Sequence, residues 1–297
     1  MSTKKKAAKT SKSARKPKGG AMRSTRAAMS VATSARSTVK ERVAAMAEAP
    51  LAVCESDKDL QAMLNVLRNK EEPVEVRLAA MDSLATAAFS VIKFESCRND
   101  YIATLREVAQ DPDPKIRESA LGLLAGEKDG FAQKKLLEGL QNREKALVPP
   151  EKALQLLSYD VHAEAYSVAR DIVEKPPNAD AKREALRLLA ADATSAPLFE
   201  KLLRDKDELR EIRQISASAL HGLNPGKLQR HAREMLLDNS EYDDIQATCL
   251  TALTQFGDDE AVGKDEALLK SVDRFSAGKT SSKYKQSARR FLSKYGR

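Results

Sequence analysis

The sequence predicts an all-α fold, a right-handed α-solenoid of about seven helix pairs. Three observations carry that reading. A small residue followed four places later by Leu recurs seven times, apolar side chains flank it at helical spacing, and no stretch alternates apolar with polar residues as a strand would. The recurring pairs are Ala80/Leu84, Ala120/Leu124, Ala153/Leu157, Ala185/Leu189, Ser216/Leu220, Cys249/Leu253 and Ala288/Leu292. Their small residues lie 40, 33, 32, 31, 33 and 39 positions apart. A period in this range marks supersecondary units that bury their apolar faces only by stacking on one another.

Each unit is justified by the same pattern. Four residues before the small one stand Val76, Ile116, Pro149, Ala181, Ile212, Ile245 and Tyr284, and one residue after it Met81, Leu121, Leu154, Leu186, Ala217, Leu250 and Arg289. Apolar positions at −4, 0, +1 and +4 make one stripe of an amphipathic helix, and the small residue marks where another backbone approaches. Arg289 breaks the stripe in the last unit, as a terminal repeat facing water should. A first helix precedes each striped one. The earliest reads Leu60, Met63, Leu64, Leu67, and the last Leu268, Val272, Phe275. Boundaries fall at Pro73, at Asp111 to Pro114, at Pro149 and Pro150, at Pro176 and Pro177, at Asn224 to Gly226 and at Gly257 to Asp259.

Residues 55 to 295 resemble the HEAT-repeat family. The resemblance rests on repeat length and on the second helices VRLAAMDSL (76–84), IRESALGLL (116–124) and IRQISASAL (212–220). An acid also stands six residues before an Arg in Glu71/Arg77, Asp111/Arg117 and Asp207/Arg213. The resemblance implies that the acid caps a turn while the Arg reaches a neighbouring repeat, building a ladder. Pro150, Lys182, Gln246 and Lys285 replace the Arg in the other units. The family hosts scaffolds, transport factors and a few enzymes, so it implies a fold and leaves the activity open.

Charge is unevenly distributed. The net +8 of the 297-residue chain divides into +11 over residues 1–50, +8 over 270–297 and −11 between them. Residues 1–38 hold no acid, and the first twenty have no apolar face with which to offset chain entropy. The domain reading is therefore a disordered basic tail over 1–50, with 21–48 part helical, followed by the solenoid over 51–297. Lys4, Lys5, Lys6, Lys9, Lys12, Arg15, Lys16 and Lys18 make a mobile cation suited to a polyanion, which it would bind by counterion release. The structural alternative is a solubilising tail. An Arg- and Ser-rich start also resembles an organellar transit peptide, but the first twenty residues are Lys-rich and not amphipathic. At the other end Lys279, Lys283, Lys285, Arg289, Arg290, Lys294 and Arg297 alternate with Tyr284, Phe291 and Tyr295. The stripe assigns the aromatics to packing and leaves Arg289 and Arg290 as a second candidate polyanion contact.

Catalytic patterns are missing from the sequence. The three histidines (His162, His221, His231) and three cysteines (Cys54, Cys97, Cys249) show no ligand spacing, so no metal and no cofactor is implied. Cys249 lies on the small-residue stripe and reads as a buried apolar group. Neither a Gly-rich phosphate loop nor a nucleophile elbow is present. No segment is long and apolar enough to span a membrane or serve as a secretory signal. The expected function is thus a non-enzymatic scaffold or adaptor in the cytoplasm, nucleoid-associated or nuclear. It would hold a protein partner on the helices and nucleic acid or another polyanion through the tail. The alternative is an enzyme-associated module of the HEAT-like alkylpurine DNA glycosylase kind, weakened by the lack of Trp and by the acidic body.

Overall fold

The computed structural model describes residues 20–160 and 163–296. The eight predicted tail cations, from Lys4 to Lys18, lie outside the described residues, as does His162. The fold is all-α, a helical-repeat protein of the α-solenoid type, with no strand among the described residues. The chain divides into two compact units after Leu124.

The first unit contains α1 (Gly20–Ala32), α2 (Val39–Glu48), α3 (Pro50–Val53), α4 (Asp57–Arg68), α5 (Val74–Ala88), α6 (Val91–Phe94), α7 (Arg98–Val108) and most of α8 (Pro114–Gly126). α1 packs on α2, α2 on α5, and α5 on α4. Residues 20–48 are therefore a helix pair inside the array, with Met29, Ala32 and Met46 buried. The local chemistry explains why α2 begins where it does. Thr38 Oγ1 accepts from the Glu41 amide and Glu41 returns a carboxylate oxygen to the Thr38 amide, a reciprocal cap at the N-terminus.

The second unit holds α9 (Gly130–Gln141), α10 (Pro150–Leu157), α11 (Ala163–Glu174), α12 (Ala179–Leu189), α13 (Ala196–Arg204), α14 (Arg210–Leu223), α15 (Pro225–Leu237), α16 (Asp243–Phe256), α17 (Asp259–Gly263), α18 (Glu266–Ala277) and α19 (Ser282–Tyr295). Helices pair as α9/α10, α11/α12, α13/α14, α15/α16 and α18/α19, and α10, α12, α14, α16 and α19 stack in succession. The repeat's small residues explain that stacking. Ala80, Ala120, Ala153, Ala185, Ser216, Cys249 and Ala288 are all buried, in both units. A larger side chain there would hold neighbouring helices apart.

Buried arginines tie one repeat to the next. Arg77 Nε donates to Leu67 O, ten residues back, at 2.9 Å, and its two terminal nitrogens donate to Asp111 at 2.5 and 3.3 Å. Arg213 does the same with Leu203 O at 3.0 Å and Glu241 at 2.6 and 2.9 Å. Arg42 makes the third set, to Ala32 O at 3.0 Å and Glu72 at 2.5 and 2.9 Å. The sequence expectation that the Arg reaches a neighbouring repeat holds for Arg77 and Arg213. The acids differ in part. Asp111 caps its turn as expected, accepting from the Asp113 amide at 2.9 Å, but at the other two turns Asn69 accepts from the Glu71 amide and Asp205 from the Asp207 amide. Burial alone would raise the Asp111 carboxyl. Hydrogen bonds from Arg77 and from the Asp113 amide outweigh it and hold the group below the usual carboxylate range.

Substitution at the Arg position does not empty the site. Lys182 reaches Glu208 at 2.5 Å, and Gln246 Nε2 donates to Met235 O and Asp238 O, each at 3.1 Å. Gln thus keeps the local tie to the preceding helix and gives up the charge contact.

Replacing Arg77 by Ala leaves Asp111 buried without its counter-charge. The expected cost is about 3–5 kcal/mol in denaturant unfolding. Lys270→Ala, which breaks an exposed pair with Glu266, should cost under about 0.5 kcal/mol in the same assay. Ala185→Leu should destabilise by about 1–3 kcal/mol by forcing α12 off its neighbours.

Candidate polyanion-binding surface

α19 is built so that its two faces are chemically opposite. Ser281 Oγ accepts from the Tyr284 amide at 3.2 Å, while the Ser281 amide donates to Asp243 at 2.7 Å, fixing the start of the helix against α16. Tyr284, Ala288, Phe291 and Tyr295 then recur at helical spacing and are buried. The Phe291 and Tyr295 rings lie 5.0 Å apart, and Tyr295 Oη donates to Leu253 O at 2.9 Å. The Tyr284 hydroxyl is buried without a hydrogen-bond partner, and burial, with Asp243 nearby, pushes its phenol up to about 12. These rings pack in the protein and present no stacking platform to a base.

The opposite face is cationic. Arg289 and Arg290 are exposed, as are Lys279 and Lys283, and Lys285 is half-buried. No acid follows Asp273 in the chain. None of these five side chains has a charge partner among the described residues. Lys294 is different. It meets Asp259 at 2.8 Å and donates to Thr254 O at 3.0 Å, which commits it to holding α19 on the preceding helices.

The rest of the second unit makes that face unusual. Lys182, Arg183, Lys206, Arg210, Arg213, Lys227 and Arg233 each reach an acid 26 to 34 residues away in sequence. These seven basic side chains are used to bridge repeats. Those on the outer face of α19 are not.

The surroundings of the other reactive groups define what each can do. His231 Nε2 lies 2.8 Å from Glu200, which also takes a hydrogen bond from Lys227 at 2.9 Å. The sequence spacing concealed this cluster because Glu200 is 31 residues from His231. His231 and then Lys227 pull the Glu200 carboxyl down to about 2, so it is a fixed anion bridging α13 and α15 and no proton shuttle. His221 lies beside Phe256, ring centroids 5.7 Å apart, with its Nδ1 buried and unpartnered. Burial drives the Cys249 thiol up to about 12, in line with its expected role as a packed apolar group. Among the described residues, no group of three or more His, Cys, Asp or Glu could hold a metal ion.

No family model matches the chain, and no curated protein does. A solved structure of the complex of CpcE and CpcF of phycocyanin lyase from Nostoc sp. PCC7120 is similar at 15% identity and a TM-score of 0.39, covering 93% of this chain and 99% of that one. The expectation that the chain is not an enzyme is corrected by this comparison, because the similar structure is a lyase complex. A likeness at that TM-score assigns no activity in its turn. No helix among the described residues is long and apolar enough to cross a membrane.

The acid-sensitive pairs give a signed pH dependence. Glu200 and Asp238, the latter held down chiefly by Lys206 and then by Ser240, both sit at about 2. Their unfolded values are 4.5 and 3.8, so their contribution is present above pH 4.5 and is lost as pH falls toward 2. Glu200→Gln with Asp238→Asn should lower thermal stability at neutral pH. It should also flatten the loss of helical circular dichroism between pH 4.5 and 2.

Proposed function

We propose that the chain is a scaffold of HEAT type that holds a protein partner on its helices and contacts nucleic acid through α19. The observation that carries the reading is the unpaired cationic face of Lys283, Arg289 and Arg290, clustered on one helix after the last acid of the chain. Arg guanidinium groups aimed at solvent without a carboxylate match phosphate in charge and geometry. The N-terminal lysines, Lys4 to Lys18, extend the same chemistry along the chain and add contacts that release counterions without reading sequence. With the aromatics of α19 buried, the contact is one of charge to phosphate, and base stacking contributes little. A cytoplasmic site close to nucleic acid follows from the same reading. Exposed Phe89 and Ile92, 88% and 95% accessible on one turn of the first unit, support a protein partner, since apolar groups so placed gain by being covered.

Binding of fluorescein-labelled duplex DNA and of single-stranded RNA, followed by anisotropy over a salt series, tests the proposal. Arg289→Glu with Arg290→Glu should weaken binding at least about ten-fold. It should lower the log–log salt slope on duplex by about 2 and leave the melting temperature unchanged. Equal affinity of variant and parent, or no binding by the parent at low salt, overturns the assignment.

A further inference from the structure

α9 and α11 are the first helices of successive repeats, run in the same direction, and pack on each other only lightly along their length. Their apolar side chains Leu137, Leu140, Val168 and Ile172 floor a groove. At the C-terminal ends of the two helices the groove ends in a cavity of about 420 Å³, walled by Val148, Pro149, Pro150 and Pro177. That volume lies within the range of about 300–1,000 Å³ that small-molecule sites occupy. The walls are set by backbone constraint. Three prolines hold fixed φ angles, and Gly139 lets the 142–149 loop close on α9. A Cβ at Gly139 would stand 2.9 Å from the Ala146 Cα, so any other residue would push the wall outward.

Two cations mark one end of this apolar space. Arg143, just past α9, and Lys175, just past α11, both line the cavity and are exposed at its mouth. Each lies beside a helix C-terminus, where a positive charge is favoured, but neither has an acidic partner among the described residues. Lys206, in the corresponding position after α13, does have one, in Asp238. Glu164 stands near the N-terminal end of α11, at the far end of the groove, while Asp171 lies one turn before Lys175.

We propose that this cavity is a binding site for a small amphipathic carboxylate, its acid group between Arg143 and Lys175 and its apolar body over Leu140 and Ile172. A charge-assisted hydrogen bond from the Arg143 guanidinium fixes the head, and burial of the apolar body supplies most of the affinity. The site is independent of the α19 face and does not need a nucleic-acid partner.

Calorimetric titration of the full chain with dodecanoate, below its micelle-forming concentration, tests the site. Dodecyltrimethylammonium serves as the charge-reversed control. The expected result is one dodecanoate bound per chain and no comparable binding of the ammonium. Arg143→Ala with Lys175→Ala, both exposed positions, should weaken dodecanoate at least about ten-fold with the melting temperature unchanged. Gly139→Val, which displaces the wall without altering charge, should weaken it as well. Absence of dodecanoate binding, equal binding of the two amphiphiles, or undiminished affinity in the double variant overturns the proposal.

Discussion

A guanidinium that faces two ways holds the repeats in register. In Arg42, Arg77 and Arg213, Nε is committed to a carbonyl ten residues back, at the end of the preceding helix, and the terminal nitrogens reach a carboxylate 28 to 34 residues ahead. One planar group thereby closes a helix pair and fixes where the next pair begins. Lys has no rigid fork with which to satisfy both demands, and Lys182 meets only the forward one. The arrangement is costly to break, because Asp111 and Glu241 are almost wholly removed from water. It is also specific. A slip of one residue would strand a buried carboxylate.

The same constraint shapes the charged surface. Many basic side chains of the interior repeats contact acids on an adjacent repeat, the following one for Lys206 and Arg213 and the preceding one for Lys227. At α19 no following acid is present among the described residues, so the cations there remain available. The cavity beside Arg143 and Lys175 is a local version of the same situation, where two cations lack the acid that the period supplies elsewhere. Both candidate surfaces are thus clusters of cations without the acid that bridges repeats elsewhere.

The helical repeat was legible because it is written in one-dimensional spacing. Ala80 through Ala288 could be named as close-approach positions from their period alone, and the exposure of Arg289 followed from its interruption of the stripe. Other features depend on distance between elements. The acid that meets Arg42 is Glu72, 30 residues ahead in the turn between α4 and α5, a contact that spacing does not reveal. The pair α1/α2 was obscured by composition, since Ala, Ser and Arg there resemble the tail that precedes them. Nothing in the sequence marks Gly139 as special, because its reason is the approach of Ala146 from a loop. The Glu200/His231 contact is hidden for the same reason.

The most direct test of this account is a double-mutant cycle on Arg213 and Glu241, using Arg213→Met, Glu241→Gln and the pair, with stability read from urea unfolding. If the forward contact couples adjacent repeats, the two substitutions will interact by at least about 1.5 kcal/mol, and the double variant will be less damaged than the sum of the singles predicts. Additive effects, with an interaction under about 0.3 kcal/mol, would show that the repeats are held by apolar stacking alone and would contradict the account.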